Sequence, residues 1–284
     1  KGNYNEKASI EFSANMGIRD ISKSYKMLET KDYIRARQGI GENYGLWNNP
    51  AELPNTNWFD ELFESGLEQS YLLSARGGTK NVSYYLSAGY EREDGIQKDN
   101  FWERYSIRLN NEYKLGKKFT LGHQLYMARV GQNPATRNVP WRSLPYMAVY
   151  NDDGTFARVP SEVEFSGGND VASLAYYHYK SRDLLLQGNL YADWEIIDGL
   201  NLRVTGSGGF ASGYDDEFNE KNELTRTPVS ETYTKSSNYS ESYVLTSVLT
   251  YAKVFAKVHD FKVMAGYEIK KSNTSSLEAT ATSF

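Results

Sequence analysis

Nine stretches of this chain alternate apolar and polar residues with a period of two, and none of roughly 18 residues or more is apolar throughout. In "KNVSYYLSAGYEREDG" (80–95), Val82, Tyr84, Leu86, Ala88 and Tyr90 share one side, and Ser83, Tyr85, Ser87, Gly89 and Glu91 the other. Ile10 to Ile18, Leu67 to Ala75, Tyr105 to Leu115, Phe119 to Met127, Leu184 to Ile196, Leu200 to Phe210, Tyr243 to Tyr251 and Phe261 to Ile269 repeat the pattern. Each is about the 9–11 residues that a tilted membrane-spanning strand needs. Such strands average to a polar score, so a mean hydropathy of −0.64 excludes a transmembrane helix without excluding a membrane barrel.

The connections narrow the choice. Gly77-Gly78-Thr79-Lys80, Leu115-Gly116-Lys117-Lys118, Asp198-Gly199 and Lys257-Val258-His259-Asp260 read as tight turns. Between them lie longer connections, roughly 18–66, 92–101, 131–182 and 214–240. Short and long alternate along the chain, as periplasmic turns and extracellular loops do in an up-and-down outer-membrane barrel. A soluble β-sandwich or lipocalin gives the same alternation. Against it stand charges spread along the polar faces, as at Arg104, Arg108, Glu112 and Lys114. The aromatics near strand ends, Tyr90, Trp102, Tyr105, Tyr113, Phe119, Trp194, Phe210, Tyr243 and Tyr251, match interfacial girdles.

The expected fold is therefore all-β, a transmembrane up-and-down antiparallel barrel with long extracellular loops. Tyr84, Leu86, Tyr105, Ile107, Leu109, Leu190 and Trp194 are expected to face lipid, with Ser83 and Ser87 toward the lumen. Single-chain bacterial barrels have even strand numbers, and an unpaired sheet edge is not tolerated in hydrocarbon. Residues 1–284 are thus expected to be part of a larger barrel, and Lys1-Gly2 in place of Met suggests a sequence that continues upstream.

Chemistry is sparse. A net charge of −4 with both signs scattered gives no basic footprint for nucleic acid. Zero cysteines remove thiolate metal sites. His123, His178 and His259 are far apart in sequence, and there is no HExxH or G-x-S-x-G motif. The glycine-rich "SGGFASG" (207–213) is strand-like, with no helix following it to bind phosphate. No catalytic residue, metal or cofactor is expected. The acidic "GYDDEFNEKNE" (213–223) reads as a solvated loop tip, lacking the spacing of a calcium loop.

Several stretches resemble the SusC-like branch of TonB-dependent outer-membrane transporters. The most specific is "NTNWFDELFESGLEQSYLLSARGGTKNVSYYLSAGYEREDGI" (55–96), a Trp-Asp helix followed by a hairpin. "LETKDYIRARQ" (28–38), "FWERYSIRLNNEYKLGKKFTLG" (101–122) and "YMAVYNDDGTF" (146–156) also fit. The resemblance implies a 22-stranded plugged barrel, of which this chain supplies about nine strands, without the plug or the TonB-contacting segment. It implies import of glycan fragments or peptides across the outer membrane of a Gram-negative bacterium, with a SusD-like lipoprotein and the TonB complex as partners. A passive porin or adhesin-type barrel, or a soluble β-protein binding ligand through its Tyr-rich loop, are the alternatives.

In the loops, Thr30 is expected to cap a helix through Arg37, and Asn57 one over "WFDELFES". The 131–182 connection carries Trp141, Tyr146, Tyr150, Tyr176, Tyr177 and Tyr179, whose rings can stack on sugars or peptide side chains. Equally, they can form the core that holds the loop together.

Overall fold

Period-two alternation becomes one antiparallel meander. The computed structural model describes residues 2–22, 26–134, 143–160, 168–224 and 229–283. Its strands are β1 (Ser9–Arg19), β2 (Gly66–Gly78), β3 (Val82–Asp94), β4 (Phe101–Leu115), β5 (Phe119–Asn133), β6 (Tyr177–Ile197), β7 (Leu200–Asn219), β8 (Thr232–Phe255) and β9 (His259–Thr282). They form one nine-stranded sheet in which each strand pairs with the next. The sheet is open: among the described residues β1 pairs only with β2, and β9 only with β8.

Cross-strand partners in an antiparallel ladder point to the same face. One ladder runs Ile10, Ala75, Leu86, Leu109, Leu125, Gly188, Gly208 and Tyr243, and the next Phe12, Leu73, Ala88, Ile107, Met127, Leu186 and Phe210. Tyr84, Leu190, Tyr105 and Trp194 lie on this same mostly apolar face. Ile10 is 78% exposed and Leu190 60%. Leu86, Tyr105, Ile107 and Trp194 are also exposed, while Tyr84 and Leu109 are half-buried. The opposite face carries Ser74, Ser87, Arg108, Tyr126, Gln187, Gly209 and Ser242 in one ladder. Trp102 falls on this polar face, opposite Glu93 and Gln132, so it is not part of an outer girdle.

At the tight-turn end, Gly116 and Gly199 take positive φ of 76° and 80°, conformations that side chains disfavour. The β8–β9 turn is built differently, on Ala256 and Lys257 at φ 51° and 62°, with His259 and Asp260 already in β9. At the other end, β6 to β9 run 20 to 24 residues, about twice the membrane requirement. Hence the two later long connections are shorter than the pattern suggests. Tyr177 and Tyr179 stand on β6, and Asp215, Asp216 and Glu217 stand on β7 instead of forming an acidic loop tip. Polar strand extensions lack the apolar alternation that marks a membrane strand, which is why sequence periodicity stops short of them.

Among the described residues the loops carry three helices, α1 (Thr30–Gly39), α2 (Trp58–Leu62) and α3 (Asp170–Ala175), and a 3-10 turn at Gly45–Asn48. Asn57 caps α2 as expected, accepting from the Phe59 amide. Thr30 does not cap α1. Glu29 occupies the cap position, and the Thr30 hydroxyl donates instead to the Pro54 carbonyl at 2.6 Å.

Candidate functional site: the polar wall and its loop cap

The polar face presents a continuous wall from the loop end to the turn end. Nearest the loops, Tyr177 and Tyr179 stack side by side, ring centroids 6.4 Å apart and 15° between planes. Arg104 lies 5.3 Å from the Trp102 ring and bonds Glu91 at 2.6 Å. Midway, Arg108, Asn110, Gln124, Tyr126, Gln187, Asn189, Ser207 and Ser242 line a cavity. Asn189 and Gln124 are hydrogen-bonded at 3.4 Å, and Arg108 sits 5.2 Å from the Tyr126 ring. Toward the turns, the Tyr191 hydroxyl donates to Glu112, Arg203 lies 4.5 Å from the Tyr191 ring, and the Lys114 ammonium 3.6 Å from the Tyr4 ring. Amides, hydroxyls and arginines offer both donors and acceptors, suited to a polyhydroxy or amide-bearing surface. Of these, the sequence points only to Tyr177 and Tyr179 as binding residues. The signal of the others is the polar phase of each strand, which by itself marks only the wet side.

Above the wall, two distant loops form one small core. Ile34, Trp47 and Trp58 from the β1–β2 connection pack with Leu144, Tyr146, Met147 and Val149 from the β5–β6 connection. The Trp58 indole donates to the Leu144 carbonyl at 2.9 Å, and the Thr56 hydroxyl to the Met147 carbonyl at 2.7 Å. Tyr146 is 3% exposed, with Tyr33 and Trp47 at ring-centroid distances of 5.8 and 5.9 Å. Burial pushes its hydroxyl well above the usual phenol range. Tyr146 thus holds the cap together, while Tyr150 is exposed and stacks on Phe156, which in turn meets Tyr176 edge-on at 5.6 Å. Trp141 lies outside the described residues.

The residue that ties the second loop down escaped the sequence reading. Asn169, fully buried, caps α3 by accepting from the Ala172 amide at 3.0 Å. Its amide donates to the carbonyls of Val149 at 2.8 Å and Ala157 at 3.0 Å, closing the 149–157 hairpin. Asn before "DVASLA" is a recognisable helix start.

Beside it, Asp170 is buried and accepts from the Ser143 hydroxyl. Burial raises its carboxyl above the ordinary range, and the Ser143 bond offsets this only in part. A carboxyl raised by folding favours the folded state when protonated. Its penalty is absent below the unfolded value of about 3.9 and grows as pH rises through the folded value. The cap should therefore loosen slightly from acid to neutral pH, and Asp170→Asn should flatten that slope while keeping an acceptor for Ser143. Protease resistance of the 143–160 segment, followed from about pH 4 to about pH 8, measures it; an unchanged slope in the variant refutes the assignment.

In fold, the open sheet with its one-sided tight turns is similar to the barrel wall of a SusC-like outer-membrane protein. The chain is similar to TonB-dependent receptors, SusC among them, as the 55–122 resemblance implied. It is 24% identical to TonB-dependent receptor P3 of Formosa agariphila over 100% of this chain and 29% of that protein. It is 25% identical to TonB-dependent receptor SusC of Bacteroides thetaiotaomicron over 75% of this chain and 24% of that one. The structure superposes on the RagAB peptide importer in its closed-closed state with a TM-score of 0.83 at 18% identity, covering 100% of this chain and 36% of that one. No family model matches. The chain thus spans under a third of the length of these curated relatives.

Proposed function

We propose that this chain forms part of the barrel of a TonB-dependent, SusC-like importer in the outer membrane of a Gram-negative bacterium, taking up glycan fragments or peptides with a SusD-like lipoprotein. The remaining strands, the plug and the TonB-contacting segment belong to the rest of such a protein, and residues 1–284 contribute wall and loop cap. The observation that carries the reading is the similarity of the entire chain to TonB-dependent receptors, on a sheet with one apolar and one polar face. Extended apolar exposure of this kind would cost a soluble protein roughly 25 cal/mol per Å² left in water. In this reading Tyr84, Leu86, Tyr105, Ile107, Leu109, Leu190 and Trp194 meet lipid. Tyr150, Tyr176, Tyr177 and Tyr179 edge the substrate path. The curated relatives are TonB-dependent receptors in name, which fits a protein that moves its substrate unchanged.

Growth on single glycans or peptide mixtures as the nutrient source tests the proposal, comparing the parent strain, a strain lacking this gene and one lacking TonB. Loss of growth on the same nutrient in both mutants, with a lipoprotein co-purifying from the outer membrane, supports it. A nutrient that requires this gene but not TonB points to a passive porin. Replacing Tyr177 and Tyr179 together by Ala should lower uptake several-fold, because a stacking platform is worth about 0.5–1.5 kcal/mol per ring pair. Normal uptake would remove these rings from the path.

A further inference from the structure

Two neighbouring rows of the polar wall meet in an open cavity of about 600 Å³. One row runs Asn110, Gln124, Asn189 and Ser207 across β4 to β7. The row one step nearer the loops runs Arg108, Tyr126, Gln187, Gly209 and Ser242. Toward β7 and β8 the floor is low, because Ser207 and Ser242 are small and Gly209 has no side chain. A Cβ on Gly209 would meet only the Ser242 hydroxyl, at 3.1 Å, so the space above it is open.

Charge in this cavity is unbalanced. Arg108 is exposed, lies 5.2 Å from the Tyr126 ring and makes no ion pair among the described residues. No carboxylate lines the cavity. Those nearest on the same face are engaged or distant. Glu112 accepts from the Tyr191 hydroxyl, and Glu91 is held by Arg104. Glu11 stands in the Arg108 row but three strands away, about 14 Å. Asn110 and Gln187 likewise make no side-chain hydrogen bond among the described residues. An unpaired guanidinium beside a tyrosine ring, with free amides around it, is suited to a planar anion that carries hydroxyls.

We propose that this cavity is a subsite for a carboxylate-bearing sugar, a uronate unit of a glycan fragment. Arg108 takes the carboxylate, and Asn110, Gln124 and Gln187 take the hydroxyls. The inference rests on the import reading and narrows its substrate class. A neutral glycan would leave the guanidinium desolvated and unpaired beneath the bound chain. An acidic peptide fits less well, because the lining offers little to an apolar side chain. Leu125 belongs to the opposite face, which leaves Val244 and the Tyr126 ring. Amides on adjacent strands recur about every 4.8 Å, giving successive partners to a chain rich in hydroxyls.

The test uses the full-length protein extracted from its outer membrane in detergent, with trigalacturonate as the probe, against its methyl ester and against triglutamate. The native protein should bind the acid about tenfold more tightly than the ester, as one charge-assisted pair implies. Arg108→Gln should abolish that preference while heat-modifiable mobility stays as in the parent, and Arg108→Lys should keep part of it. Gln187→Ala should weaken acid and ester alike and keep the preference. Lys117→Gln, in the β4–β5 turn, should change neither. Failure of the native protein to bind the acid, equal binding of acid and ester, an undiminished preference in Arg108→Gln, or tighter binding of triglutamate overturns the site. Should Arg108→Gln fail to assemble, the acid-to-ester ratio of the native protein decides, and a ratio near one overturns the site. Growth that needs neither this gene nor TonB would instead sink the import reading, a result separate from these binding ratios.

Discussion

Arginine at Leu109 is expected to remove most of the folded protein from the outer membrane, whereas arginine at the neighbouring Asn110 should leave assembly intact. Leu109 is in register with Leu86 and Leu125, in the middle of the apolar ladders. With this face in lipid, as proposed, a guanidinium there would have no partner and no water, and a charge near the midplane of a membrane barrel costs roughly 2–4 kcal/mol. That is a large share of a marginal stability. Asn110 points to the other face, pairs in register with Gln124 and lines the polar cavity, where a long cation stays hydrated. The comparison holds strand, depth and introduced residue constant and varies only the face. Heat-modifiable mobility of the protein in isolated outer membranes reports the folded fraction. Equal losses at both positions would mean that the two faces meet the same medium.

The sequence makes the middle of each strand legible because a sheet with one apolar face obeys a simple rule, one apolar side chain every second residue. Ile107 and Leu109 announce both their strand and their face. Beyond that stretch the rule lapses. The outward ends of β6 to β9 are polar on both sides, so Tyr177, Tyr179, Asp215 and Asp216 were read as loop although their ladders continue unbroken. Trp102 was misplaced for a related reason: its type suggested a girdle, but its register with Glu93 and Gln132 sets it on the polar face. Thr30 lost the capping role to Glu29 because a distant carbonyl, Pro54, claimed its hydroxyl. The polar wall was hardest to see. Arg108, Gln124 and Asn189 come from three strands, and only the register brings them together.

Truncating Trp58 should unfasten the loop cap without unfolding the sheet. The side chain is 1% exposed at the centre of a core with seven buried members among the described residues, so losing it removes a large fraction of what holds two loops together. Phe or Trp to Ala in a core costs about 3–5 kcal/mol, and this core has little surplus. The Leu144 carbonyl also loses its indole donor. The sheet does not depend on this contact: the end of α2 and the residues after it bond to the β3–β4 connection, the Lys98 amide to the Leu62 carbonyl at 3.0 Å and the Glu64 amide to the Ile96 carbonyl at 2.8 Å. In Trp58→Ala, residues 30–62 and 143–160 should therefore become protease-sensitive together, while heat-modifiable mobility stays as in the parent. Trp58→Phe keeps most of the buried area and gives up only the hydrogen bond, a loss of about 1–3 kcal/mol, so it should fall between the two. Under the proposed import function, uptake should follow cap order rather than barrel content. If both segments stay resistant in Trp58→Ala, the loops are held by something other than this core, and the cap cannot act as one body.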